Sequence, residues 1–179
     1  MLDKRIAAFD DRVDDYFARL RGNRVADRVF YTASALGDFG LIWVVFALLR
    51  ALRGGKRNER AARRAIAATG IESTLVNVML KSVIGRRRPL QTYEHPLPIR
   101  QPLTSSFPSG HATAAFCGAM LLSDDDALAP VYFATAALVA ASRIYVRIHH
   151  ASDVAAGIGV GLSLGLIGRK IAPLRRHRS

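Results

Sequence analysis

The chain is short of cysteine and of acid. Cys117 is the one cysteine in 179 residues, so neither an internal disulfide nor a cysteine-built metal cluster can form. It lies within an apolar run, where a buried and inert thiol is expected. Acidic residues number 14 against 26 Lys+Arg, for a formal net charge of +12. No HExxH-like spacing occurs, which removes the commonest zinc-hydrolase signature. The amino-terminal segment lacks the apolar core of a secretory signal, so none is expected. Spread evenly, the positive charge would suggest a nucleic-acid binder. It is not spread evenly. It falls in short blocks between long apolar runs, as in a small helical membrane protein, and nucleic acid is not expected as a partner.

Half of the residues are hydrophobic, and they gather in five runs: Phe30 to Leu52, Ala65 to Ile84, Phe107 to Leu122, Leu128 to Ile148, and Ala151 to Ile171. A helix crosses the ~30 Å hydrocarbon core in roughly 20 residues. Only the third run is short, unless its polar mouth also lies within the membrane. A soluble bundle would lack the polar surface to cover five such runs. The expected fold is therefore all-α, an integral membrane bundle of about five transmembrane helices.

Residues 2–21 differ. Leu2, Ile6, Phe9, Val13, Phe17 and Leu20 recur at helical spacing opposite a face of Asp and Arg. This is an amphipathic helix too charged to span, lying either in the interface plane or against the membrane domain. The expected organisation is one membrane domain: helix and linker over 1–28, a transmembrane core over 29–172 and a basic tail over 173–179. In the last run Gly157, Gly161, Gly165 and Gly168 form a small-residue stripe for close helix packing.

Polar residues within reach of a bilayer are costly and therefore informative. Three clusters stand out: "KSVIGRRRP" with Lys81 and Arg88, "PSGH" at Pro108–His111, and "SRIYVRIHHASD" with Arg143, His149 and Asp153. Because successive spans alternate direction, all three fall on one side of the membrane. Basic residues also gather at helix ends as interface anchors, which accounts for Arg86, Arg87 or Arg147 singly. It does not account for histidines beside a carboxylate and a Ser-Gly corner at the same level.

Lys81, Arg88 and Arg143 supply three cations, and arginine forks onto two oxygens at once. Ser109–Gly110 opens a helix, where free N–H groups and the helix dipole favour an anion. Together they make a phosphate cradle. His149 and Asp153 are four residues apart and share a helical face, so the carboxylate can orient an imidazole as nucleophile. His150 is three residues from Asp153, and spacing does not separate the two histidines. His111, at the cradle's mouth, can protonate a leaving oxygen. Zinc ligation by His111, His149, His150 and Asp153 is the rival reading; three cations in the same site would repel a metal, so no metal or other cofactor is expected.

These clusters resemble the type 2 phosphatidic acid phosphatase family, which includes the vanadium haloperoxidases. Its pattern is Lys, six residues, Arg-Pro; then Pro-Ser-Gly-His; then Ser-Arg, five residues, His, three residues, Asp. Lys81, Arg88 and Pro89 match the first part, Pro108 to His111 the second, and Ser142, Arg143, His149 and Asp153 the third. The resemblance selects His149 over His150. It implies that Lys81, Arg88, Ser109, Gly110 and Arg143 bind phosphate, that His149 attacks to form a phosphohistidine oriented by Asp153, that His111 protonates the leaving group, and that no metal is used. Many membrane members have six spans; here the amphipathic helix stands in place of the first.

The expected substrate is a lipid phosphate drawn from the bilayer: a polyprenyl (di)phosphate such as undecaprenyl diphosphate first, then phosphatidic acid, phosphatidylglycerol phosphate or a decaprenylphosphoryl-phosphoribose. A non-catalytic lipid-phosphate binder, a vanadium-dependent peroxidase and a phosphotransferase are the competing classes. The loop Leu90–Ser106 shapes the head-group pocket, with His95 and Arg100 expected in solvent. Asp38, Glu72 and Asn77 are expected to hydrogen-bond between helices, and "SDDDA" at Ser123–Ala127 to be a turn opposite the site. The basic linker Arg53–Arg64 is the densest short loop, which places it in the cytoplasm and the site on the extracytoplasmic face of a multi-pass cell-membrane protein. Nothing in the pattern specifies an oligomeric state.

Overall fold

The computed structural model describes residues 2–74, 85–90, 95–97, 99 and 104–174. Among these the regular structure is helical throughout: α1 (Leu2–Ala18), α2 (Arg24–Leu36), a 3-10 turn (Asp38–Gly40), α3 (Leu41–Leu52), α4 (Lys56–Thr74), α5 (Gly110–Leu122), α6 (Ala129–Tyr145) and α7 (Ala151–Ile171). Asn23 caps α2, its side-chain oxygen accepting from the N–H groups of Val25 and Ala26 at 3.0 and 3.1 Å. The helix thus begins inside the segment expected to be linker.

The run expected to be one span from Phe30 to Leu52 is broken. α2 and α3 meet at 62°. Gly40 has φ +67°, and Phe39, with φ 56°, is also left-handed. Glycine adopts that geometry without penalty, whereas for phenylalanine it costs about 1–3 kcal/mol. The five-span count is not confirmed. Among the described residues α7 alone has the length and composition to cross a bilayer, the bent α2–α3 pair qualifies only as a unit, and α5 is apolar but has 13 residues. α4 covers the first part of the second expected span, and residues 75–84 lie outside the described residues. Counting apolar residues does not reveal whether a run is one straight helix; the Gly37–Gly40 stretch divides this one.

The surface of α3 is inverted relative to a soluble helix. Leu41, Val45, Leu48, Leu49 and Leu52 face outward, while Trp43, Ala47 and Arg50 are buried. Such a leucine stripe is an aggregation hazard in water and a matched surface in hydrocarbon. α5 runs through the centre, and the glycine stripe of α7 lies along it: a Cβ at Gly157 would come 2.6 Å from the Ser109 carbonyl oxygen, and one at Gly165 2.6 Å from the Met120 Cβ. The expected packing role of the stripe is realised, and it seats the start of α7 against the start of α5.

At the far end of α5, the "SDDDA" turn is more than a turn. Arg50 is buried and donates to the Leu122 carbonyl at 2.5 Å and the Asp124 carbonyl at 3.0 Å, and its Nε lies 3.2 Å from Asp126. Arg64 donates to the Leu121 carbonyl and to the Asp124 carboxylate, both at 2.8 Å. These guanidiniums satisfy the carbonyls that a helix end leaves without partners. Arg53 and Arg57 pair outside them with Asp126 and Asp125.

α1 packs against the bundle, which decides between its two expected settings. Phe17 is buried edge-on against Phe30 and Tyr145. Asp10, 6% exposed, accepts from the Ser152 N–H at 2.7 Å and the Ser152 hydroxyl at 2.8 Å, at the first turn of α7. Phe9 and Tyr16 remain exposed on the other face.

Two stability outcomes follow, read by thermal unfolding in detergent. Arg50→Ala leaves the buried Leu122 carbonyl at the end of α5 without its guanidinium donor, while Asp126 keeps Arg53, and should cost about 1–3 kcal/mol, whereas Arg53→Ala, at a part-exposed pair, should cost less than about 1 kcal/mol. Gly157→Ala should force α5 and α7 apart and cost about 1–3 kcal/mol.

Candidate active site

The start of α5, the end of α6, the start of α7 and the segments 85–90 and 104–109 converge at one end of the bundle. The Ser109 N–H donates to the Asp153 carbonyl at 3.0 Å, which ties the start of α5 to that of α7. After α6 the chain turns through Arg147, with φ 53°, and the Arg143 carbonyl accepts the N–H groups of Ile148 and His149 at 3.1 Å each. The helix end thereby presents His149 inward.

His149 is 2% exposed. Its Nδ1 lies 2.6 Å from the Ser106 carbonyl oxygen. A carbonyl only accepts, so Nδ1 carries the proton and Nε2 holds a lone pair. Burial pushes the imidazole pKa down to about 3, with the Arg143 and Arg88 charges acting the same way and Asp153 opposing them. The ring is thus neutral at physiological pH, the state a nitrogen nucleophile requires. Arg88 Nη1 stands 3.4 Å from Nε2 and donates to the Ile148 carbonyl at 2.9 Å; Nη2 donates to the Thr104 carbonyl, also at 2.9 Å. A cation is therefore fixed beside the lone pair.

Asp153 is fully buried but does not take the proton of His149: Oδ2 is 3.9 Å from Nδ1, too far for a hydrogen bond. The Ser106 carbonyl occupies that place. Asp153 instead accepts from the Ser106 hydroxyl at 2.6 Å, the His150 N–H at 2.9 Å and Arg86 Nη1 at 2.5 Å. It orders the residue that orders His149, and its charge stands behind the ring. His150 serves as the N-cap residue of α7. Arg86 is not an interface anchor; it bridges Asp153 to Asp10 at 2.7 Å and to the Ser152 hydroxyl at 2.7 Å.

Arg143 is 1% exposed and donates through Nη1 to the Ser34 hydroxyl, while Nε and Nη2 have no acceptor among the described residues. A buried guanidinium with two idle nitrogens is costly unless an anion meets it. It lies within electrostatic range of Asp38, Arg88 and His149. Ser109 acts first as a cap: its Oγ accepts from the Ala112 N–H at 3.5 Å. Gly110, the first residue of α5, has an N–H with no intrahelical acceptor. Lys81 and Arg100, like Asn77, lie outside the described residues.

His111, in the first turn of α5, places Nε2 2.9 Å from Asp38 Oδ1. Asp38 was expected to join helices by hydrogen bonding and does, but its partner is a candidate site residue. His95 is not solvated. It is partly buried, accepts or donates at Nδ1 with the Tyr31 hydroxyl at 2.7 Å, and burial holds its pKa below the ordinary range. Tyr31, Ser34 and Asp38 thus contact His95, Arg143 and His111 from one side of the α2 bend. Sequence reasoning missed Asp10, Tyr31, Ser34, Arg86 and Ser106. Arg86 sits among three consecutive arginines and Ser106 beside another serine, with no local signal to choose between them. Ser34 and Asp38, as polar residues inside an apolar run, carried a signal, but not its target.

Comparison with known proteins places this geometry. The PAP2 superfamily profile matches residues 61–176. A decaprenylphosphoryl-5-phosphoribose phosphatase of Mycobacterium tuberculosis is 32% identical over 142 residues, 76% of each chain. One of the same name from Mycolicibacterium smegmatis is 31% identical over 130 residues, 69% of this chain and 67% of that one. Among solved structures, a transmembrane PAP2-type phosphatidylglycerolphosphate phosphatase from Bacillus subtilis superposes with TM-score 0.74 at 22% identity, covering 97% of this chain and 89% of that one. Aquifex aeolicus LpxE superposes with TM-score 0.67 at 28% identity, covering 87% and 93%. With the profile spanning most of the chain and the mycobacterial relatives aligned through the same region, the chain belongs to the PAP2 superfamily and is a lipid phosphatase, a phosphoric ester hydrolase.

Proposed function

We propose that the protein removes the phosphomonoester from the head group of a polyprenyl lipid, of the decaprenylphosphoryl-phosphoribose kind, through a phosphohistidine on His149. The observation that carries the phosphate reading is Arg143, buried with two nitrogens lacking acceptors. The names of the mycobacterial relatives favour the phosphoribose head group over undecaprenyl diphosphate, the first choice from sequence. The outward leucines of α3 supply a surface along which a long tail can lie.

In this mechanism the phosphoryl oxygens are held by Arg143, Arg88, Lys81, the Ser109 hydroxyl and the Gly110 N–H. The His149 Nε2 lone pair attacks phosphorus, the P–N bond forms and the P–O bond to the sugar breaks. His111 gives a proton to the departing oxygen. A water then attacks the phosphohistidine, His111 takes its proton, and phosphate leaves with the His149 lone pair restored. The cations stabilise charge on the transferring group, so no metal is required.

Purified protein in detergent, assayed for phosphate release with EDTA present, should hydrolyse a polyprenyl-phosphoryl sugar phosphate in preference to polyprenyl diphosphate and phosphatidylglycerol phosphate. His149→Ala should lose at least about 10³-fold, and acid-labile label from ³²P-substrate should appear on wild type alone. Preference for another lipid reassigns the head group; loss of activity in EDTA removes the metal-free mechanism; binding without turnover leaves a lipid-phosphate binder.

We also place the site on the extracytoplasmic face, on the strength of the basic linker at the opposite end. A cysteine introduced at Gly55, with Cys117 buried, should resist a membrane-impermeant maleimide in intact cells and react once they are opened. Labelling in intact cells reverses the orientation.

A further inference from the structure

The bend between α2 and α3 is built at a cost. Phe39 takes a left-handed backbone with its ring 82% exposed, while the neighbouring Asp38 turns inward. Asp38 Oδ1 meets His111 Nε2 at 2.9 Å, with the two side chains 24% and 17% exposed. The ring also rests directly on the bend, since a Cβ on Gly37 would come 2.9 Å from His111 Cδ2 and 2.8 Å from Val139 Cγ1. One turn earlier Ser34 holds Arg143. Local strain at a break in a membrane helix persists where the surroundings impose it, and such breaks cluster at functional sites.

Resting on the phosphatase reading above, we propose that Asp38 is the positioning residue of the general acid: it holds His111 through Nε2–H and stabilises the imidazolium, so that Nδ1–H is the proton delivered to the leaving oxygen. The carboxylate keeps its charge throughout. In the first step the Nδ1 proton passes to the departing alkoxide and His111 becomes neutral with Nε2–H still on Asp38. In the second step Nδ1 takes a proton from the attacking water, and the imidazolium is restored. Among the described residues, Arg143 from α6 lies within electrostatic range of Asp38 and Arg88, and Arg88 within range of His149. Asp38 is a carboxylate in contact with His111, and a contacting carboxylate favours the protonated ring.

The test compares leaving groups. p-Nitrophenolate departs without a proton, whereas a sugar or alkyl oxygen requires one. Asp38→Asn should lower kcat on an alkyl lipid phosphate about 10- to 100-fold while changing p-nitrophenyl phosphate hydrolysis by less than about 3-fold. It should also move the alkaline limb of kcat/KM down by about one pH unit or more, since removing an adjacent carboxylate lowers an imidazolium pKa. Equal losses on both substrates with an unmoved limb would make Asp38 a structural residue and overturn the proposal. ¹⁵N-histidine NMR of wild-type protein in micelles, with His111 assigned by its absence in His111→Gln, tests the same point if Asp38→Asn does not fold. The expected result is a proton on Nε2 and titration above the ordinary ~6.5; titration at or below that value overturns the proposal. His149→Ala, run alongside, separates the two readings. If it abolishes hydrolysis of both substrates the phosphohistidine stands whatever Asp38→Asn does, and if it does not the underlying mechanism fails on its own.

Discussion

A single buried carboxylate organises this molecule. Asp153 draws together the Ser106 hydroxyl, the His150 N–H and the Arg86 guanidinium, and Arg86 reaches onward to Asp10 of the amino-terminal helix. A fully buried negative charge must be met by several donors or it destabilises the fold. Meeting it here means bringing four separate stretches of chain to one point. The Ser106 carbonyl, fixed by this arrangement, then sets the tautomer of His149. The tautomer of His149 is thus a consequence of how one carboxylate is solvated by protein.

The two histidines are held by opposite physics. His149 is buried among cations with its Nδ1 on a neutral carbonyl, which keeps it uncharged. His111 is held by a carboxylate from the bend of a broken helix, the setting that favours a protonated ring. Arg143 has two donors with no acceptor among the described residues. One fold offers the two rings different hydrogen-bond acceptors, a backbone carbonyl for His149 and a carboxylate for His111.

The far end of the bundle is tied together by buried guanidiniums. Arg50 and Arg64 close the last turn of α5 by hydrogen-bonding its carbonyls, and Asp124 and Asp126 balance those charges within the same turn. This rigid end and the glycine contacts along α5 and α7 leave the start of α5 with one place to go. The amphipathic helix α1 adds a clamp at the site end through Asp10, so an element that looked peripheral is tied to the residues around His149.

Family and helical class were legible from three short polar patterns and the apolar runs, because chemistry that requires a cation, a helix start and an imidazole at set spacings leaves few alternatives. The resemblance pointed to His149 over His150, and the fold buries His149 while His150 opens α7. The unbroken first span, the direct His149–Asp153 contact and the solvated His95 were expectations that tertiary structure replaced. Each depended on something spacing does not encode: whether glycines break a run, which carbonyl reaches a ring nitrogen first, whether a loop folds back on Tyr31. Sequence by itself determined which groups were available and that lipid would surround them. Tertiary structure alone decided which partner each group found, because hydrogen bonds form over about 3 Å between residues as far apart in the chain as Asp10 and Ser152, and only the packed bundle sets that distance.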